Sequence, residues 1–264
     1  MLIDTHCHLD AHSTAGATDD VIARAKSAGV GAFVAIGVGG AEHLKDVLAL
    51  IEQRSYVVAT AGVHPHDAAT CSPELESQIE AALAHPKLVA VGEVGLDYHY
   101  DHSPRAQQAE VFRRYIALAK QVNKPLVIHT RSAAEDTLEI LEQEGARDVG
   151  GVIHCFSEDR AFAARALDMD FDLSFSGILT FKSAHSVQDV ATWAPSSRIL
   201  VETDSPYLAP VPLRGKRCEP AFVLYTARRL AELRGVSEQQ IAAQTTENAC
   251  RRFGEALALA SGQA

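Results

Sequence analysis

The sequence is poor in cysteine, in positive charge and in long apolar stretches. Its five cysteines are scattered and form no CxxC pair, so neither a disulfide framework nor a thiolate zinc site is expected. The 24 Lys and Arg residues stand against 34 Asp and Glu residues, for a formal net charge of −10, which argues against a broad basic face for binding duplex nucleic acid. No apolar stretch approaches the ~18 residues that span a bilayer.

The lack of a signal sequence and of paired cysteines indicates the cellular compartment. The first residues, MLIDTHCHLD, contain no basic region followed by an apolar run, so a secretory signal is not expected. Cysteines without a pairing pattern are typical of a reducing compartment. We therefore expect a cytoplasmic protein that does not bind a membrane.

The composition that remains is ordinary for a globular protein, with 47% hydrophobic and 22% charged residues in a chain of 264. No linker, low-complexity tract or change of composition divides the chain, which favours one domain over residues 1–264. A (β/α)8 barrel takes about 250 residues, so the length suits this fold.

Short apolar segments alternate with longer amphipathic ones along the chain. The short segments predict eight strands, over Leu2–Thr5, Ala32–Ile36, Tyr56–Ala61, Leu88–Val91, Pro125–Ile128, Gly151–Ile153, Phe171–Ser174 and Arg198–Val201. The longer ones predict helices over Thr18–Ser27, Ala41–Gln53, Pro73–Ala84, Pro104–Val122, Ala133–Glu144, Asp159–Leu167, Ser186–Trp193, Pro220–Leu233 and Glu238–Phe253. Ser72-Pro73 and Ser103-Pro104 each place a capping residue before a proline, which is typical of a helix start.

Several predicted strands are continuously apolar, among them Ala32–Ile36 and Pro125–Ile128. Such strands are buried on both faces, as in a parallel sheet covered by helices. Eight strand–helix units therefore predict a (β/α)8 TIM-type barrel. The alternative is an open doubly wound sheet, which is weakened because no Gly-rich phosphate-binding turn follows the first strand.

Histidines and carboxylates recur where the predicted strands end. His6 and His8 follow the first strand two residues apart, and side chains at i and i+2 of a strand share a face. The fourth, fifth, sixth and eighth strands lead to Glu93, His129, His154 and Asp204. Because all strand ends of a barrel open on one rim, we expect these six side chains to meet in one cavity.

This set of side chains predicts a metal centre. A lone histidine at a strand end is ordinarily a structural or surface residue, but six ligand-type residues on five strands favour ligation. Nitrogen and oxygen ligands favour Zn, Mn or Mg. Six ligands exceed what one catalytic zinc takes from a protein, so we expect two divalent ions bridged by Glu93 and a hydroxide.

The chain resembles a known family in the motifs DTHCHLD, GVHPHD, GEVGLDY, PLVIHTR, HCFS, SGILTFK and ETDSPYLAPVPLRGKRCEP. These are similar to the motifs of the TatD family of metal-dependent deoxyribonucleases, within the amidohydrolase-like barrels, and they extend from residue 3 to about residue 220. The resemblance implies a barrel of the metallo-dependent hydrolase type, a divalent-metal centre and hydrolysis of phosphodiester bonds in DNA. It carries the family's ligands onto the same six residues.

The chain departs from the family pattern at Glu158, Leu213 and Cys218, where Gly, His and Asn are common. All three lie in predicted loops that could contact a substrate. The departures therefore bear on substrate preference and leave the set of ligands complete.

The hypothesis for the mechanism is attack on phosphorus by a hydroxide that two divalent ions activate. Asp204 would hold and deprotonate the nucleophile, and Glu93 would bridge the ions. His6 and His8 would hold one ion, and His129 and His154 the other. Two dications would bring +4 against −2 from the carboxylates, so the site would be positive inside an acidic chain.

Further residues are predicted on the same rim. His64, His66, Arg131 and Arg214 are candidates for binding substrate, and Arg131 in particular would clamp a phosphate bidentately. The structural alternatives are a stiffened loop for the two histidines, a salt bridge for Arg131 and a solvated loop for Arg214. Tyr98 would stack on a base, and Glu202 would orient a metal ligand; packing and a buried ion pair are their alternatives.

Three functions remain open at this point. The first is a nuclease for single strands or strand ends, because an acidic surface repels a long duplex. The second is an amidohydrolase or esterase acting on a small molecule or on an aminoacyl-tRNA, since the same metal chemistry serves both. The third is a non-catalytic metal-binding or scaffold protein, which a complete ligand set argues against.

Overall fold

A computed structural model describes residues 1–9 and 17–263 of the chain. Strands and helices alternate along it. The strands are β1 Leu2–Cys7, β2 Val30–Gly37, β3 Val57–Ala61, β4 Leu88–Asp97, β5 Leu126–Arg131, β6 Gly151–Ile153, β7 Phe171–Phe175 and β8 Ile199–Val201. The helices are α1 Ala17–Ser27, α2 Ala41–Gln53, α3 Pro73–Ala82, α4 Arg105–Val122, α5 Ala134–Gln143, α6 Arg160–Asp168, α7 His185–Trp193, α8 Val223–Arg234, α9 Glu238–Phe253 and α10 Glu255–Ser261.

All eight strands are parallel and pair in sequence order from β1 to β8. The last strand returns to the first, because Cys7 and Ser205 form a parallel bridge. Two backbone hydrogen bonds extend this junction: Asp204 N–H donates to His6 O at 3.0 Å and His8 N–H to Ser205 O at 2.8 Å. The predicted (β/α)8 barrel is confirmed, and the open doubly wound sheet is excluded.

The barrel interior is apolar near the start of its strands. Ile3, Val127 and Leu200 belong to one buried cluster there. Phe253 and Leu257, at the end of α9 and within α10, pack against that cluster, so these helices cover the end of the barrel where the strands begin. The helix α10 is absent from the sequence prediction. Within the described ranges, no helix combines the length and the apolar character that crossing a membrane requires.

Several element boundaries differ from the prediction in ways that move functional residues. The strand β4 continues to Asp97 rather than ending near Glu93, and β8 ends at Val201, three residues before Asp204. The expected helix cap at Ser103 is wrong. The Ser103 hydroxyl instead donates to His66 O and accepts from Ala69 N–H, and the helix begins at Arg105. This serine therefore fixes the loop after β3.

Two glycines allow β4 to pass close to β5. Gly92 and Gly95 have φ values of 146° and 142°, a region that favours glycine. A Cβ atom on Gly95 would lie 2.0 Å from His129 O. The pairing of β4 with β5 also shifts register between Gly92 and Val94. This close approach places Glu93 beside the side chain of His129.

A buried ion network ties the start of β7 to α9. The Asp172 side chain is fully buried, and its carboxylate accepts hydrogen bonds from Arg252 Nε at 2.8 Å and Arg251 at 3.0 Å. The guanidinium of Arg198 lies 2.6 Å from the same carboxylate. Because a buried charge without its partner is strongly unfavourable, this network fixes α9 against the end of the barrel.

We expect Asp172→Asn to lower the free energy of unfolding by about 3–5 kcal/mol, because it removes the buried carboxylate between Arg198 and Arg252 and leaves the half-exposed Asp170 as their remaining carboxylate partner among the described residues. Urea denaturation of the purified protein measures this. The control is Asp189→Asn, whose half-exposed carboxylate pairs with Arg160 on the surface and whose loss should cost about 1 kcal/mol or less. Equal losses in the two variants would contradict the structural role of Asp172.

Candidate metal centre

Glu93 lies at the centre of a cluster of histidines. Its Oε1 atom is 2.8 Å from His129 Nδ1, 2.8 Å from His154 Nε2 and 3.4 Å from His64 Nε2. Its Oε2 atom is 3.4 Å from His6 Nε2. Only 3% of the Glu93 side chain is exposed, so four imidazoles surround one buried carboxylate.

Asp204 occupies the side of the cluster nearest the β1–β8 junction. Its Oδ1 atom is 3.5 Å from His8 Nε2 and 3.7 Å from His6 Nε2. Its φ is 56°, and its backbone N–H donates to His6 O at 3.0 Å. The turn after β8 therefore aims this carboxylate at the two histidines of β1, although Asp204 lies outside the strand.

The two histidines of β1 depend on an irregularity in that strand. The pairing of β1 with β2 shifts register between Asp4 and Cys7. Thr5 Oγ1 lies 3.2 Å from Ser174 Oγ, and the ring of His6 stacks on His154 at 3.9 Å. Two successive residues, Thr5 and His6, thus reach across the barrel interior, which simple alternation along a strand does not predict.

Two further carboxylates fix the rings of His129 and His154. Asp97 Oδ2 lies 3.2 Å from His129 Nε2, and Glu202 Oε1 lies 3.3 Å from His154 Nδ1. Each carboxylate accepts a hydrogen bond from that nitrogen, so the opposite ring nitrogen faces Glu93 and the cluster and, in the neutral ring, directs its lone pair there. This is the arrangement of a histidine that binds a metal. The predicted orienting role of Glu202 has this geometry, whereas Asp97 was missed.

His64 is oriented in the opposite sense. Its Nδ1 atom accepts the backbone N–H of His66 at 3.1 Å. A backbone N–H can only donate, so in the neutral ring the proton is on Nε2, which faces Glu93. His64 is therefore suited to donate a hydrogen bond rather than a lone pair. His66 Nε2 contacts Asp97 at 2.9 Å, behind the cluster.

The charge states of the cluster follow from its burial and contacts. Burial acts to raise the pKa of Glu93, but the charges of His154 and His64 and the contact with His129 hold that pKa well below its ordinary value. Burial also acts to raise the pKa of Asp204, and the contact with His8 and the charge of His6 outweigh it and lower that pKa. Both groups are therefore carboxylates at neutral pH.

The residues present fit divalent metal ions. Both ring nitrogens of His6 are buried and have no hydrogen-bond partner among the described residues. The ligand atoms of His6, His8 and Glu93 lie within 4.8 Å of one another. Although burial alone would lower it, the pKa of His154 is raised well above its ordinary value by Glu93 and Glu202. A cluster this anionic attracts positive charge, and its nitrogen and oxygen donors suit Zn, Mn or Mg.

The cluster lies at the bottom of an open cleft of about 580 Å³. His66, Tyr100, Arg131 and Tyr207 are among the residues that line the cleft above it. Arg131 forms no salt bridge among the described residues, and its guanidinium stands 4.7 Å from the centre of the Tyr100 ring. The structural alternative for Arg131, an ion pair, is thus absent from the described structure.

Several residues that were predicted to contact the substrate are not among those that line the cleft. Tyr98 is not available to stack on a base, because its hydroxyl donates to Asp136 at 2.7 Å and Arg105 covers its ring at 4.3 Å. Arg214 stands 3.9 Å from the centre of the Phe181 ring, outside the residues that line the cleft. Among the three departures from the family pattern, the predicted substrate contact at Cys218 is wrong, since its side chain is fully buried; Glu158 and Leu213 do not line the cleft.

Comparison with known proteins agrees with this architecture. The model of the family described as TatD related DNase matches residues 3–254. The chain is 45% identical over 253 residues to the uncharacterized metal-dependent hydrolase YabD of Bacillus subtilis, covering 96% of this chain and 99% of that protein. It is 32% identical over 257 residues to a protein of Erwinia tasmaniensis named 3'-5' ssDNA/RNA exonuclease TatD, with coverage of 96% and 99%.

A solved structure shows the same fold. The TatD homologue YJJV of Escherichia coli K12 superimposes with a TM-score of 0.88 at 30% identity, over 96% of this chain and 97% of that one. The family match spans nearly all of the residues that form the barrel. This chain therefore belongs to the TatD-related DNase family and is a metal-dependent hydrolase.

Proposed function

We propose that this protein hydrolyses phosphodiester bonds of DNA with two divalent ions, and that it acts on single strands or strand ends. The observation that carries the proposal is the convergence of His6, His8, Glu93, His129, His154 and Asp204 beneath one open cleft. The relative named as a single-stranded DNA and RNA exonuclease supports the same substrate class. The acidic surface of the chain would repel long duplexes outside the cleft.

The ligands divide into two sets around Glu93. His6 and His8, with Asp204, would hold one ion, and His129 and His154 would hold the other. Glu93 reaches both sets through its two oxygens. Divalent ions held there would lower the pKa of bound water and would offset negative charge on phosphate oxygens.

Asp204 is the candidate for accepting the proton of the attacking water. Its side chain is 14% exposed, so it faces the cleft while Glu93 is enclosed. It stays ionised because the contact with His8 and the charge of His6 outweigh its burial. A carboxylate in that state can orient water and take its proton.

Four residues would bind the substrate around this centre. His64 would donate a hydrogen bond from Nε2, since its Nδ1 is already an acceptor. Arg131 would contact a phosphate with its guanidinium, which forms no salt bridge among the described residues. His66 and Arg214 would act further out, His66 from the cleft wall and Arg214 from the loop after β8.

The substrate class is tested with a panel of compounds. Labelled single-stranded and double-stranded DNA, an aminoacyl-tRNA and a dihydropyrimidine are incubated with the protein, with and without Mg, Mn and Zn. We expect cleavage of single-stranded DNA that depends on added metal and is abolished by a chelator. Cleavage of the aminoacyl ester or the cyclic amide alone would contradict the proposal and favour the amidohydrolase or esterase.

We expect Asp204→Asn to lower kcat for single-stranded DNA by about 10²–10⁴-fold, because an amide cannot accept the proton of water. Metal content is measured on the same samples by mass spectrometry, so that loss of chemistry is separated from loss of metal. The control is Asp189→Asn, a surface change that should leave kcat unchanged. Turnover near that of the unaltered enzyme with metal retained would remove Asp204 from the mechanism.

We expect Asp97→Asn to weaken metal binding by about 10–100-fold, since it removes the carboxylate charge that orients His129. An asparagine oxygen can still accept the backbone N–H groups of His99 and Tyr100, which Asp97 Oδ1 accepts at 2.9 Å. Titration with Mn or Zn against a competing chelator measures the affinity. The control Asp101→Asn alters an exposed carboxylate paired with Arg105; an equal effect there would argue against a specific role for Asp97.

A further inference from the structure

The two most exposed tyrosines of the protein both line the cleft. Of the six tyrosines, only Tyr100 and Tyr207 are more than half exposed, at 51% and 61%. Both border the cleft above Glu93. An exposed aromatic ring beside a polar site offers a flat apolar surface to a ligand. The position of these two rings therefore suits contact with a substrate.

Tyr207 lies in the turn that follows β8, and its aromatic ring is exposed. Its backbone N–H donates to Asp204 O at 2.9 Å, which fixes the residue next to the proposed proton acceptor. Its ring meets His8 edge-on, at 5.9 Å and an interplanar angle of 76°. No other ring contact and no hydrogen bond of its hydroxyl occur among the described residues. A planar group entering the cleft can therefore stack on Tyr207.

Tyr100 is arranged differently, because Arg131 already stands over its ring at 4.7 Å. The backbone N–H of Tyr100 donates to Asp97 Oδ1 at 2.9 Å, which ties the loop after β4 to the carboxylate behind His129. The attraction between a guanidinium and an aromatic face restrains the side chain of Arg131. Tyr100 thus holds a cation at the rim without neutralising its charge.

The two tyrosines lie on opposite sides of the barrel mouth. Tyr207 follows β8, next to β1, whereas Tyr100 and Arg131 come from the ends of β4 and β5. In the closed order of eight strands these two positions are half a turn apart. A ligand that reaches both must pass over Glu93 at the centre.

We propose that Tyr207 stacks on a base of an unpaired strand, while Tyr100 positions Arg131 for a phosphate of the same strand. This inference rests on the proposed function and specifies how the substrate is recognised. Stacking on an aromatic ring tolerates any base, since every base has a flat face. A paired base has both faces covered by its neighbours in the duplex, so this contact selects unpaired nucleotides.

The role of Tyr207 is tested by binding, with the metal-loaded enzyme and a phosphorothioate strand that resists cleavage. A 2-aminopurine base is moved along the strand, and quenching of its fluorescence locates the stacked position. We expect Tyr207→Ala to abolish the quenching and to weaken binding by about 5–150-fold. Tyr207→Phe keeps the ring and should retain both. An abasic residue at the same position should remove the difference between Tyr207→Ala and the unaltered enzyme.

The binding test includes one control variant and two results that would contradict stacking by Tyr207. Trp193→Ala alters another exposed aromatic residue, 40% exposed and outside the cleft lining, and should leave binding unchanged. Quenching that persists in Tyr207→Ala, or an equal loss on the abasic strand, would overturn the stacking role alone. Failure of the unaltered enzyme to bind any strand would instead overturn the proposed function.

The role of Tyr100 is tested by a double-mutant cycle with Arg131. Tyr100→Ala and Arg131→Gln are each expected to weaken strand binding, and the double variant should bind no more weakly than Arg131→Gln, because Tyr100 acts through the guanidinium. Tyr100→Phe retains the aromatic face and should behave as the unaltered enzyme. Additive losses would overturn the positioning role of Tyr100.

Discussion

The buried charge of Glu93 is the constraint on which the site depends. A carboxylate removed from water is costly unless it is paired and hydrogen-bonded, and Glu93 is enclosed by His6, His64, His129 and His154. Its Oε1 atom lies 2.8 Å from both His129 and His154, whereas its Oε2 atom lies 3.4 Å from His6, so its charge is offset only in part. The arrangement therefore favours additional positive charge of the kind that a bound metal ion supplies.

Closure of the barrel and assembly of the site are one structural event. The hydrogen bond from Asp204 N–H to His6 O joins β1 to the turn after β8, and both residues belong to the cluster. Nearly two hundred residues separate them in the sequence, and in an open sheet their strands would lie at opposite edges. A change that loosens this junction would separate Asp204 from His8 before it affected the strands in the middle of the sheet.

Much of this could be predicted from the sequence, because parallel strands ending in histidines and carboxylates direct these groups to one rim. The prediction missed Asp97, since the apolar run of β4 stops near Glu93 while backbone pairing continues past two glycines. It named Tyr98 as the stacking residue because spacing does not reveal that the Tyr98 hydroxyl bonds Asp136 and that Arg105 lies over its ring. The assignment of one domain to residues 1–264 and of the protein to the cytoplasm stays a prediction.

The histidines of the cluster differ in the group that contacts the ring nitrogen facing away from Glu93. Asp97 and Glu202 accept hydrogen bonds from His129 and His154, so the opposite nitrogen of each ring faces the cluster, whereas a backbone N–H makes His64 a donor toward Glu93. Under the proposed function, metal ligation and substrate binding would thereby be separated among histidines that lie within a few ångströms of one another. Because a metal centre of this kind can serve esters, amides and phosphodiesters alike, the choice of substrate must be made above it. On the cleft wall, the guanidinium of Arg131 has no ion-pair partner among the described residues and the exposed ring of Tyr207 lies on the opposite side of the barrel mouth, so these two groups are the candidates for making that choice.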